Sequence, residues 1–245
     1  MTDLDYSRSY LRWHSDSDEH FERQSTAEYS WLKRHLPDDK AADILEFGCG
    51  RGFALAGVAR AGYSNVEGID SNSGQIEAGL KRDLNVKRVD VEETMEFFEA
   101  CAGKYDFIYS IDVIEHIPVD KTIEVLRAIR LCLKPGGKFL CRVPNSDHIL
   151  ASHLRYIDQT HQTMFSDVSL DFVLHNAGFV EISVFPTRDG CPRIRPRNLN
   201  NLINWGLRRI IRAVHFAILR ADFGIVDAKR TSLTPNILAV GYKPK

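Results

Sequence analysis

Apolar positions along this chain follow two rhythms that alternate. Residues 18–36 repeat at helical intervals through Tyr29, Leu32 and Leu36, and Ser25-Thr26-Ala27-Glu28 has the spacing of a capping box. From residue 42 onward, short apolar runs of strand length appear at 44–47, 66–69, 86–89, 105–110 and 138–143, with a helical stretch near 54–61 between the first two. Val119, Ile123, Leu126, Ile129 and Leu133 mark an amphipathic helix stopped by the breaker Lys134-Pro135-Gly136-Gly137. A further helix over 166–177 has Gly178 as its C-cap, and strands are predicted at 179–185 and 237–240. Strand and helix alternating in this way predict an α/β fold: a Rossmann-like, mostly parallel sheet covered on both faces. Nearly fifty residues between the last two strands exceed what such a sheet needs. The expected organisation is therefore an N-terminal helical cap (1–40), a core (41–185), a helical insertion (186–233) and a final core strand (234–245).

Composition narrows the class. With 44% hydrophobic residues in 245, the chain has enough apolar material for a substantial core, and 16 Gly with 9 Pro exclude collagen-like or low-complexity structure. Lys+Arg 32 against Asp+Glu 33 leaves a net charge of -1, which excludes a nucleic-acid binder held by bulk charge. That charge is unevenly spread. Residues 188–220 hold eight arginines and one acid, Asp189, so +7 lies there and -8 in the remainder. The five cysteines, Cys49, Cys101, Cys132, Cys141 and Cys191, are odd in number and widely spaced, which suggests neither a disulfide framework nor a zinc site. The polar start has no signal-peptide core, and there is no apolar run of the roughly 18 residues that spanning a membrane takes. The expected compartment is a reducing cytoplasm.

The segment Ile44-Leu45-Glu46-Phe47-Gly48-Cys49-Gly50-Arg51-Gly52 has the order strand, glycine-rich turn, helix. Glycines at alternate positions let backbone approach a ligand at the carboxyl edge of the first strand. The spacing E-x-G-x-G-x-G differs from the dinucleotide pattern G-x-G-x-x-G, and a carboxylate beside the turn suits a cationic ligand better than a pyrophosphate. An NAD-binding dehydrogenase is the alternative from another class, and the loop spacing argues against it. Asp70, about twenty residues on, is placed to accept from ribose hydroxyls or else to cap the next helix. Asp90 ends the third strand, where it can meet an adenine amino group or serve as a cap.

These segments, with residues 105–117 and Leu133-Lys134-Pro135-Gly136-Gly137-Lys138, stand in the order of the motifs of class I S-adenosylmethionine-dependent methyltransferases, which the chain resembles over roughly 40–185 and the last strand. The resemblance implies a seven-stranded sheet with an antiparallel last strand and S-adenosyl-L-methionine as cofactor. It also implies that Glu46, Gly48, Gly50 and Gly52 line the cofactor, that Asp70 holds its ribose, and that Ser110 and Asp112 flank its methionine part. Cys49 would then be a small packed residue.

Methyl transfer to a hydroxyl needs an aligned acceptor and a base, for which histidine is suited near neutral pH. Nine histidines are present. His116 follows the fourth strand at its carboxyl edge. His161 lies in the polar stretch Arg155-Tyr156-Ile157-Asp158-Gln159-Thr160-His161, beyond the fifth strand where acceptors bind. His161 is the first candidate for base or acceptor contact and His116 the second. Arg142, Asn145, Arg155, Tyr156 and Asp158 are candidate acceptor contacts, with ordering of the turn as the other role for Arg142 and Asn145. The run from Asp158 to Phe165 and the helix after it resemble methyltransferases of bacterial surface-glycan pathways and some quinone methyltransferases. A sugar hydroxyl of a lipid-linked glycan is thus the expected acceptor, and a quinone or other phenol the alternative. A metal held by His148, His153, Asp158 and His161 matches no known ligand spacing, so none is expected.

In the insertion, Arg193-Ile194-Arg195-Pro196-Arg197 should be extended, and 199–220 reads as a helix with Leu199, Leu202, Ile203, Leu207, Ile210, Ile211, Val214 and Ile218 on one broad side. Interleaved arginines and aromatics suit an anionic membrane surface, which would place the protein at the inner face of the cell membrane. A packing or self-association helix over 199–220, its arginines against acidic protein surface, ranks ahead of the membrane reading, and nucleic acid is disfavoured because no recognition fold accompanies the stretch.

Overall fold

A computed structural model of the chain describes residues 14–187 and 199–245. The expected extended segment 193–197 lies outside them.

Helix α1 (Asp18–Leu32) opens at Ser17, whose Oγ accepts from the His20 amide at 3.3 Å. The capping-box spacing at 25–28 is therefore not a helix start. Ser25 sits mid-helix and fully buried, where α1 crosses α2 (Phe53–Arg60) at Gly57. A Cβ on Gly57 would stand 2.7 Å from the Tyr29 Cβ, so the close crossing requires the glycine.

The remaining elements are β1 (Ile44–Phe47), β2 (Val66–Asp70), α3 (Ser73–Leu80), β3 (Val86–Arg88), α4 (Thr94–Ala100), β4 (Tyr105–Ile111), α5 (Thr122–Cys132), β5 (Leu133–Pro144), α6 (Ala151–Tyr156), α7 (Asp167–Asn176), β6 (Val180–Pro186), α8 (Leu199–Phe223), α9 (Ile225–Arg230) and β7 (Asn236–Tyr242). Among the described residues the strands form one sheet in the order β3-β2-β1-β4-β5-β7-β6. The pairs β1 to β5 are parallel, and β7 runs antiparallel to both β5 and β6. Near-continuous apolar strands reflect burial on both faces. Ile108, Phe139, Cys141, Ile237 and Ala239 fill the core on one side, and Phe107, Tyr109, Leu140, Leu238 and Val240 that on the other.

Several expected boundaries shift, and α1 ends at Leu32 rather than at 36. The helix before β5 begins at Thr122, because the Thr122 hydroxyl and the Lys121 amide both bond to the Pro118 carbonyl. Val119 is thus left exposed ahead of it. The breaker at 134–137 lies inside β5, which starts directly at Leu133. There the strand bulges, and the Gly136 amide donates to the Lys243 carbonyl at 3.1 Å. Helix α7 begins at Ser166 with a reciprocal capping box to Ser169 and ends before Gly178, whose φ of 89° gives the expected left-handed cap.

Helix α8 runs three residues beyond its expected end, and Leu202, Ile203, Leu207, Ile210, Ile211, Val214 and Ile218 are all exposed along it. Among the described residues, no helix is long and apolar enough to cross a membrane.

Candidate functional site

Strand order reverses between β1 and β4, and in sheets of this kind ligands bind outside the carboxyl ends of the strands at that reversal. The glycine-rich turn after β1 occupies this position. Gly48, Gly50 and Gly52 have φ of 75°, 52° and 79°, in the left-handed region open to glycine at no steric cost. The Gly48 and Cys49 amides donate to the Ile69 carbonyl, and the Gly50 amide donates to Asp70 Oδ2 at 2.8 Å. A Cβ on Gly48 would stand 2.3 Å from Val113 Cγ2, so the loop after β4 can close on the turn only over a glycine. Cys49 is buried, and burial pushes its thiol pKa well up, so it packs as a small apolar residue.

The acids divide by environment. Glu46 is almost fully buried, and its Oε2 accepts from the Leu55 amide and the Tyr109 hydroxyl, both at 3.0 Å. Burial pushes its pKa up to about 8, so at neutral pH the carboxyl is mostly uncharged and ties β1 to α2 and β4. It is thus not the negative group beside the turn that its position in sequence suggested. Asp70 accepts from the Gly50 and Asn72 amides, one on each oxygen, and each oxygen keeps a lone pair for a ribose hydroxyl. The helix after it is capped by Asn72, not by Asp70. Asp90 pairs with Arg88 at 2.6 Å and makes no capping bond through its side chain. Ser110 Oγ is buried at the end of β4 with no partner.

Asp112 and Arg142 meet through two bonds of 3.0 and 2.5 Å, and Arg142 also donates to Glu28 of α1 at 2.9 Å. Arg142 thus binds β5, the β4 loop and α1 together. The guanidinium of Arg51 likewise joins Gln75 and Asp16. Sequence reasoning missed Glu28 and Asp16, since no local pattern connects residues 114 and 35 positions apart.

Beyond the carboxyl end of β4, His116 and His161 lie together, with ring centroids 4.8 Å apart at 65°. Asp158 Oδ1 accepts from the Thr160 hydroxyl at 2.6 Å, so that hydroxyl is left to accept from His116 Nδ1 at 2.8 Å. The Leu154 carbonyl accepts from His161 Nδ1 at 3.0 Å. Both imidazoles are thereby held with the proton on Nδ1 and a lone pair on Nε2. Burial, then the neighbouring His161, push the His116 pKa down, which keeps that ring neutral near pH 7. Glu115, unremarked in the sequence, joins the pair; it is fully buried with neither carboxylate oxygen hydrogen-bonded. Among the described residues this trio is the cluster with metal-ligand geometry, and His148 and His153 are not in it.

Arg155 and Tyr156 end α6, with the Arg155 guanidinium 5.3 Å over the exposed Tyr156 ring. Asn145 takes the ordering role. It is fully buried, its Nδ2 donates to the Ser232 and Thr234 carbonyls at 2.8 Å, and its Oδ1 accepts from the Asp147 amide. Asn145→Ala leaves two backbone carbonyls unpaired in the interior and is expected to cost about 2–4 kcal/mol. An unchanged urea-unfolding midpoint would contradict that account.

Comparison with known proteins agrees with this arrangement. A family profile described as a methyltransferase domain matches residues 17–184. Ubiquinone biosynthesis O-methyltransferases are among the curated relatives. That of Erwinia tasmaniensis is 30% identical over 114 residues, 44% of this chain and 44% of that enzyme, and that of Dinoroseobacter shibae is 31% identical over 125 residues, 50% and 49%. The chain thus spans about half the length of these relatives. Among solved structures, an S-adenosylmethionine-dependent methyltransferase from Archaeoglobus fulgidus superposes with TM-score 0.63 at 20% identity, covering 89% of this chain and 94% of that one. The phosphoethanolamine N-methyltransferase 2 of Haemonchus contortus, in complex with S-adenosyl-L-methionine, gives 0.59 at 19%, covering 97% and 60%. The residues fit that cofactor: three glycines bare the loop backbone, Asp70 keeps acceptor capacity, and Ser110 Oγ lacks a partner. The chain belongs to the methyltransferase-domain family.

Proposed function

We propose that this enzyme methylates an oxygen of a small phenolic acceptor of the quinone-precursor type. The observation that carries an oxygen acceptor is the His116–His161 pair, whose two Nε2 lone pairs stand at the carboxyl edge of β4 and are held there by Thr160 and Leu154. The relatives carry the phenol, since those named above are ubiquinone biosynthesis O-methyltransferases. A sugar hydroxyl of a lipid-linked glycan asks for the same proton transfer, but the support for it is the likeness of residues 158–165 alone.

S-adenosylmethionine supplies, when bound, a methyl group already activated on sulfur. Gly48, Gly50, Gly52 and Asp70 would hold it against β1 and β2, with Ser110 and Asp112 beside its methionine part. The chain's remaining tasks are to align the acceptor oxygen and take its proton. The histidine pair does the second. Incubation with labelled S-adenosylmethionine and either a polyprenylated catechol or a lipid-linked glycan tests the acceptor. Label is expected in the catechol; transfer to the glycan alone overturns the reading.

Helix α8 supports delivery of such a lipid-soluble acceptor from a membrane. Its exposed apolar residues are interleaved with Arg208, Arg209 and Arg212, a combination that suits anionic lipid. Burial, then the charges of His215 and Arg212, push the His148 pKa down, so the helix stands beside the turn that follows β5. Co-sedimentation with phosphatidylglycerol vesicles is expected, reduced about tenfold in Ile210→Asp/Ile218→Asp. A dimer that ignores vesicles would assign the helix to self-association instead.

A further inference from the structure

Glu115 presents the least satisfied chemistry in the described residues. Its side chain is wholly enclosed, yet neither carboxylate oxygen has a hydrogen-bond partner. A buried ionised carboxylate without a partner is strongly disfavoured. Protonation alone would let it donate one hydrogen bond and still leave its other oxygen without a partner.

Two histidines converge on Glu115. His116 and His161 each use Nδ1 on an oxygen, Thr160 Oγ1 at 2.8 Å and the Leu154 carbonyl at 3.0 Å, so both keep Nε2 as a bare lone pair. One ligand atom from each of Glu115, His116 and His161 lies within 4.8 Å of the others. Three lone-pair donors converging in this way are joined by a proton or by a cation, and three donors on one point are one more than a single proton can link.

We propose that Glu115, His116 and His161 form a binding site for a divalent transition-metal cation of the zinc type. Two imidazoles and one carboxylate select such an ion over magnesium or calcium, which prefer all-oxygen shells. Tetrahedral ligands about 2.0–2.2 Å from a common ion lie about 3.3–3.6 Å apart, so small side-chain adjustments close the set. The Asp158–Thr160–His116 chain and the Leu154 carbonyl then act as the outer partners that metal-bound histidines characteristically keep, fixing tautomer and ring orientation. His116 is only half-buried, which leaves a side of the site open to an acceptor oxygen. That last role rests on the oxygen-acceptor reading above; occupancy of the site does not.

Equilibrium dialysis of the full chain against Co2+, read by bound cobalt per chain and by its visible d–d absorption, tests the site without any transfer assay. One equivalent is expected, displaced by Zn2+ and not by Mg2+. Glu115→Gln and His161→Ala should each weaken binding more than tenfold, and Thr160→Val about 10- to 100-fold, while affinity for S-adenosylmethionine persists and reports an intact fold. If Glu115→Gln does not fold, His161→Ala carries the same test from a side chain nearer the surface. Absence of stoichiometric cobalt, displacement by Mg2+, or cobalt affinity unchanged in a folded variant overturns the proposal. Cobalt binding with no methyl transfer to any phenol would leave the site standing and sink the acceptor reading alone.

Discussion

His161→Ala is expected to lower methyl transfer about 10²- to 10⁴-fold, the range that a positioned acid–base group contributes, with affinity for S-adenosylmethionine unchanged. The separation follows from the geometry. The His161 ring meets His116, Glu115 and the Leu154 carbonyl, where the proposed function puts the acceptor. The cofactor turn, by contrast, is pinned by Asp70 and Ile69. The fall should lie in kcat and in kcat/KM for the acceptor. Adding His116→Ala should lower the rate by less than the product of the two single effects, because the rings act as one unit. Loss is expected whether the imidazole takes the proton itself or holds a cation that makes the acceptor oxygen more acidic. A folded His161→Ala variant that retains the full rate would remove the pair from the chemistry.

Glu46→Gln is expected to change the way stability depends on pH. Burial raises the folded-state pKa of Glu46 from 4.5 to about 8. Below pH 4.5 both folded and unfolded chains hold the proton, and the group is neutral in the balance. Between pH 4.5 and 8 the unfolded chain releases it while the folded chain keeps it, so stability from this group falls as pH rises and levels off above 8. The accumulated cost is on the order of a few kcal/mol. A glutamine retains an oxygen to accept from Leu55 and Tyr109, and it does not titrate. Urea unfolding should therefore find the variant close to wild type at pH 5 and more stable at pH 8.5. Parallel pH profiles for the two proteins would show that Glu46 does not titrate as its burial requires.

The parts of the site visible in the sequence were those with a short repeat behind them. The turn at 48–52 announced itself because alternate glycines after an apolar run have few other uses, and the structure shows why each is needed: positive φ at all three and Val113 pressed on Gly48. The helix cap at Ser166 and the stop at Gly178 were equally local. Ser25 shows the converse. Its capping spacing is real, but tertiary burial against α2 uses the serine mid-helix, and Ser17 starts the helix instead. Arg142 shows it again, since its partner Glu28 lies on a helix that only the folded chain brings to β5.

By itself, the sequence determined the alternation of strand and helix, the order of the cofactor-side motifs and the arginine-rich amphipathic helix, because each is written in residues a few positions apart. Only the tertiary structure decided that Glu115, His116 and His161 stand together, that Glu46 is neutral, and that Asn145 is spent on backbone carbonyls. The physical reason is common to all three. Charge state and ligand geometry depend on what surrounds a side chain after solvent has been excluded, and neighbours brought from distant positions leave no spacing in the chain to read.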